Sequence, residues 1–183
     1  MRRYYLVPSA LTAAAGESEA LEVLAQLMGS GSNSYLYQAL VVDKPLAVST
    51  AAWYQGTAID PTQFAISITP KTGVEFSQVE QAAEHVIAEI AHNPVPAEDL
   101  ERAKTQLIAE SVYAQDSQST LARWYGAAIT VGMNADDIKS WPRRIRAVTA
   151  TQVSEAAAKW LDNKRSVTGY LIKETPKREE KRS

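Results

Sequence analysis

Apolar and polar positions change period several times along the chain, and each change marks an element. Arg3 to Ser9 alternates and is rich in Tyr, Leu and Val, which predicts a strand ended by Pro8. From Ser18 onward Ala20, Leu21, Val23, Leu24, Leu27 and Met28 recur at helical spacing until Gly29-Ser30-Gly31-Ser32 stops them. Asn33 to Val42, with Tyr35, Leu36, Leu40 and Val41, predicts a second short helix that ends before Pro45. Leu46 to Gln55 and Gln63 to Thr69 read as extended, separated by turn chemistry from Gly56 to Pro61. In the second of these, Phe64, Ile66 and Ile68 point one way while Ala65, Ser67 and Thr69 point the other. That is a half-buried strand, expected to pair antiparallel with its predecessor.

The pattern then turns helical. Ser77 with Glu80 suggests a capping box, followed by the stripe Val79, Ala83, Val86, Ile87 and Ile90 and a stop near Asn93-Pro94. Pro96 opens a helix to about Gln115, with Leu100, Ala103, Leu107 and Val112 inward and Glu98, Glu101, Arg102 and Lys104 in water. Thr120 to Thr130 is organised around Leu121, Trp124, Tyr125 and Ile129. Ala135 to Val148 is organised around Ile138, Trp141 and Ile145, with Pro142 expected to break or kink it. Thr149 and Gln152 form another capping box before Val153, Ala156, Ala157, Trp160 and Leu161, and Val167 to Ile172 is a last strand. Residues 174–183 are a charged tail expected to be disordered, leaving one domain over 1–173. The order of strand, two helices, two strands, five helices and strand is neither a βαβ alternation nor a bundle, so the fold class is α+β, with helices on one sheet face.

Composition adds exclusions. With 45% hydrophobic residues in 183, one proper core is available. A net charge of −2 with interspersed signs offers no footprint for nucleic acid or an anionic membrane. No apolar run reaches the roughly 18 residues of a spanning helix. The absence of cysteine removes thiolate nucleophiles, disulfides and cysteine zinc sites.

Candidate chemistry is sparse. The two histidines, His85 and His92, lie two helical turns apart, roughly 10 Å at 1.5 Å per residue, so they share a face but not a tetrahedral ion. Gly29-Ser30-Gly31-Ser32-Asn33-Ser34 follows a helix rather than a strand, which makes it a helix stop instead of a nucleophile elbow. Asp136-Asp137 and Glu98-Asp99 fall where helices begin and suit the positive end of the dipole. Trp124, Trp141 and Trp160 sit on apolar stripes and read as core or interface anchors, and adjacent Trp53 and Tyr54 face opposite sides of a strand. The residues alone contain no catalytic constellation.

Several segments resemble, in order, the second half of a pitrilysin/insulinase-family peptidase module of the mitochondrial-processing-peptidase kind. They are Ala20 through Tyr37, with its Gly/Ser connection and Ser34-Tyr35-Leu36-Tyr37 turn, then Leu46-Ala47-Val48-Ser49, Phe64-Ala65-Ile66, and Glu98-Asp99-Leu100-Glu101-Arg102-Ala103-Lys104. The likeness runs from about Arg3 to Lys173. It implies a two-layer α+β sandwich with a mixed or antiparallel sheet, repeated to enclose a substrate chamber. It also implies zinc held elsewhere, in an N-terminal domain, through a His-x-x-Glu-His motif that this chain lacks. By the same likeness Val41 and Val48 stand where such modules carry an Arg and a Tyr that reach across the chamber. Two valines donate nothing to a scissile carbonyl.

The resemblance therefore implies the non-catalytic C-terminal domain of a zinc metalloendopeptidase, inert alone and with no cofactor of its own. Its expected partners are the N-terminal zinc domain, a homologous partner half and a peptide substrate, with no nucleic acid and no membrane. Tyr35 and Tyr37 are the candidate substrate contacts. The alternative is a scaffold or assembly domain without a peptidase role. Met1 directly before a strand suggests a trimmed start, and the compartment stays open between bacterial periplasm and cytoplasm.

Overall fold

A computed structural model gives the architecture, and residues 1–172 are described. The expected tail, 174–183, lies outside the described residues. Strand β1 (Arg2–Val7) is followed by α1 (Glu17–Gly29), a one-turn α2 (Tyr35–Tyr37) that widens into a π-helix over Gln38–Asp43, and the pair β2 (Ala47–Tyr54) and β3 (Thr62–Pro70). Then come α3 (Phe76–His92), α4 (Ala97–Ala114), α5 (Gln118–Thr130), α6 (Ala135–Ala147), α7 (Ala150–Trp160), a 3-10 turn at Asn163–Arg165 and β4 (Ser166–Gly169). The sheet order is β2-β3-β1-β4, and every pairing is antiparallel. The fold is thus α+β, and the final strand rejoins the sheet beside β1.

Register explains the layers. Tyr5 faces Phe64 and Arg3 faces Ile66 across β1 and β3, and these residues are buried together with Val7 and Ile68. The alternate positions look the other way, with Leu6 exposed and Tyr4 packed edge-on to Trp53 at 6.4 Å over a buried Ala65. On the inner face lie α1, α3 and α7, whose Leu21, Leu24, Val79, Val86 and Val153 complete one core. Gly29 is required where α1 meets β2, because a Cβ there would stand 1.8 Å from the Ala52 nitrogen.

Arg3 draws the late elements in. Its guanidinium bonds Glu80 at 3.0 Å and Glu84 at 2.9 Å on α3, Asn163 at 3.0 Å in the turn, and Thr168 at 2.8 Å on β4. A buried cation is tolerable only when its donors are used this fully. Here the polar tether fastens a strand four residues long that has little apolar area to bury.

Several local expectations change. The α3 cap is Glu75, with Gln78 Oε1 accepting from the Glu75 N–H at 3.1 Å, so the capping box begins two residues before Ser77. Lys104 is buried rather than wet, with Nζ on Glu101 at 2.8 Å and on the Arg146 carbonyl at 3.1 Å, while Val112 is exposed and Ser111 takes the inward place. The α6 helix runs through Pro142 without a break. Around the missing N–H, Ser140 Oγ donates to the Asp136 carbonyl at 2.6 Å and Arg144 Nη1 to the Asp137 carbonyl at 3.0 Å. The last strand stops at Gly169 rather than Ile172, and Leu171 is almost wholly exposed. The Thr149–Gln152 box forms as expected.

Candidate functional site

The segment from Gly29 to Tyr54 carries the residues of interest, and its path follows from its sequence. Gly31 adopts φ 74, a conformation that disfavours a side chain, and its carbonyl accepts from Ser34 Oγ at 2.8 Å. Ser34 is buried, and its carbonyl takes the Gln38 N–H at 2.9 Å, which starts the helical turn. Leu36 and Leu40 enter the core, so the residues between them are turned toward the surface of the helical layer.

Tyr35 and Tyr37 are consequently parted. Two residues along a helix is about 200°, so they cannot share a face. Tyr35 is half-buried and donates to Asp99 Oδ2 at 2.8 Å, and Asp99 in turn holds Arg102 at 2.6 Å. Burial, and then this carboxylate, push the Tyr35 phenol well above its ordinary range. Tyr37 is also half-buried but does not line the cleft that Tyr35 lines. Val41 packs against the core, whereas Val48 on the edge strand β2 is 60% exposed, an aliphatic side chain in water.

The Tyr35 cleft has a volume of about 550 Å³ and lies between the π-helix and the end of α3. Its floor is Val86, Ile90 and Val95, all buried, and its rim carries Asp43, Lys44, His85 and Glu89. Sequence reading missed this grouping, because Asp43 and Glu89 come to one cleft only through packing of the π-helix on α3.

A second polar site was equally hidden. Three glutamates on α1 each take a partner from the C-terminal helices. Glu17 Oε1 accepts from Lys159 Nζ at 2.6 Å and Trp160 Nε1 at 2.8 Å, Glu19 pairs with Arg144 at 2.5 Å, and Glu22 accepts from Trp141 Nε1 at 2.6 Å. Burial pushes the Glu22 carboxyl up to about 7, and the nearby Glu19 charge adds to the rise, against the Trp141 hydrogen bond and Arg144. Glu17 is buried less, and its hydrogen bonds outweigh desolvation and hold it below the usual carboxylate range. The signal in the sequence was three carboxylates within six residues at the start of an otherwise largely apolar helix.

Neither site suits zinc. Among the described residues no group of three His, Cys, Asp or Glu side chains could hold a metal ion. His92 Nδ1 lies 2.7 Å from the Ala88 carbonyl, and His85 stands at the cleft rim that Lys44 also lines.

The sequence profile described as the Peptidase M16 inactive domain matches residues 4–107. The chain belongs to this family. The family match covers β1 through most of α4, and over the rest of the chain the likeness to solved structures is one of fold. The inactive peptidase domain of a candidate zinc protease from Bordetella parapertussis superposes with a TM-score of 0.83 at 19% identity, over 98% of this chain and 93% of that one. A protease from Helicobacter pylori gives 0.81 at 17% identity over 90% of this chain, and a chain of complex III2 from Candida albicans gives 0.70 at 10% over 91%. This chain spans only 38% of the Helicobacter protein and 41% of the Candida one. No curated protein sequence matches it. The M16 inactive domain is thus an α+β peptidase-like unit with no metal site among its described residues, of the kind that candidate zinc proteases contain.

Proposed function

We propose that this M16 inactive domain is the non-catalytic C-terminal half of a zinc-dependent metalloendopeptidase, which encloses a peptide substrate and assembles with a zinc-bearing N-terminal domain and a homologous partner half. The observation that carries the reading is the outward sheet face. Among the described residues helices pack on one side, and the other presents Tyr4, Trp53, Leu6 and Val167, the last two 56% and 73% exposed. Apolar side chains exposed among polar ones such as Ser67 and Gln63 on this face favour contact with another body. The zinc and its ligands belong to the N-terminal domain in this reading, and Tyr35 and Tyr37 contact the peptide. Val41 and Val48 leave the domain without a donor for a developing oxyanion.

Reconstitution tests the proposal. Peptidase turnover should appear when the chain is joined to its zinc-bearing half, and Leu6→Asp with Val167→Asp should abolish the association. If the full-length protein cleaves peptides equally well after deletion of this domain, the proposal fails. The second reading, a scaffold domain without a peptidase role, is favoured by the fold shared with a chain of complex III2. A full-length protein that assembles but cleaves nothing in the presence of zinc would select it.

A further inference from the structure

The Tyr35 cleft combines three features that point to one ligand chemistry. Its volume, about 550 Å³, falls in the range of small-molecule sites, roughly 300 to 1,000 Å³. Its floor of Val86, Ile90 and Val95 is aliphatic and buried, and Ala39 and Ala82 keep the walls low. The charge around it is unequal: the lining holds the carboxylates of Asp43, Glu89 and Asp99 against one ammonium, Lys44, and one imidazole, His85.

The carboxylates are not all spent internally. Asp99 is occupied by Tyr35 and Arg102, but Glu89 gives only one oxygen, Oε2, to Asn93 Nδ2 at 2.9 Å. Glu89, Ile90 and Asn93 also form the C-terminal end of α3, a helix of 17 residues whose final carbonyls bring further negative potential to the same rim. An anion would meet these groups unfavourably, and a neutral apolar ligand would gain nothing from them.

We infer that the cleft binds an organic cation with an aliphatic body, its ammonium near Glu89 and Asp43 and its methylenes over Val86, Ile90 and Val95. The inference rests on the cleft alone and not on the peptidase reading. The same chemistry is supplied by a free aliphatic diamine or by a lysine side chain between apolar residues of a peptide.

Amide chemical-shift mapping on the 183-residue chain tests it with three probes: cadaverine, the uncharged isostere 1,5-pentanediol, and the capped tripeptide acetyl-Leu-Lys-Leu-amide. Saturable shifts at Val86, Ile90 and Val95 with cadaverine assign the site to free amines, and with the tripeptide alone to a peptide side chain; either outcome supports the site. Asp43→Asn combined with Glu89→Gln should weaken binding about tenfold, two exposed charge pairs' worth. Lys44→Gln, which removes the opposing cation, should tighten it about threefold. Both variants alter exposed positions, so unchanged spectral dispersion confirms the fold. Saturation by neither cation, equal binding of the diol, or insensitivity to both variants overturns the inference.

Discussion

The strands with α1 and α3 and the α5–α6 pair are held by different forces. In the first region Tyr5, Phe64, Leu21, Leu24, Ile66 and Val79 have essentially no exposed surface. In the second, α5 buries Ala128 alone and α6 buries Ile138 and Ile145, while Ile129, Val112 and Tyr113 nearby are exposed. The first region is a packed core whose stability scales with apolar area. The second is hung on α1 through Glu19–Arg144 and Glu22–Trp141, with Trp124 set edge-on against Trp141 at 6.1 Å. Few apolar contacts and polar anchoring are the marks of a unit that opens at lower free energy than the whole.

The contrast can be broken from the core side first. Phe64→Ala removes a fully buried aromatic ring and should cost about 4 kcal/mol by urea denaturation, unfolding both regions together. A loss confined to α5 and α6 would show that the hierarchy is reversed.

Next comes the Glu22 carboxyl, at about 7 against an ordinary 4.5. A folded value raised above the unfolded one means that protonation favours folding. Its contribution is fully present below about pH 4.5 and is lost as pH rises through 7. Glu22→Gln keeps an acceptor for Trp141 without the charge. It should stabilise the protein by about 2 to 3 kcal/mol at pH 8 and by much less at pH 5, read from paired urea titrations. Equal effects at both pH values would contradict the assigned cause.

Arg144→Ala sharpens the comparison rather than breaking it. Glu19 is almost fully buried, and stripping its partner leaves that carboxylate uncompensated, while Arg144 itself is about a third exposed, which tempers the cost to about 2 kcal/mol. Hydrogen exchange should accelerate in α5 and α6 while the amides of β1 and β3 keep their protection. At the small end, Ile129→Ser on the exposed face of α5 should change stability by less than about 0.5 kcal/mol in the isolated domain.

The same division decides what could be read from sequence. Strand β3 was legible because Phe64, Ile66 and Ile68 alternate with smaller or polar residues, and α1 and α3 because their apolar stripes keep helical period. The order of elements followed from these and from the Thr149 cap. Elements fixed by polar or long-range contacts were not legible. Lys104 reads as a solvated charge until the Arg146 carbonyl arrives across 42 residues. Val112 fits the α4 stripe, yet it is 55% exposed. The widening of α2 into a π-helix has no period of its own to detect, and Glu75 caps where a Ser–Glu spacing pointed two residues later. The lack of a histidine pair one helical turn apart could be seen directly. The Tyr35 cleft and the three α1 glutamates needed the fold, since Glu17 and Trp160 lie 143 residues apart.

The central proposal is that this domain does no metal chemistry of its own. Its most direct measurement is turnover of a fluorogenic peptide library by the purified chain with zinc added, alongside the zinc it retains after gel filtration. The account predicts no cleavage and no stoichiometric metal. Zinc-dependent cleavage that disappears in His85→Ala or His92→Ala would contradict it.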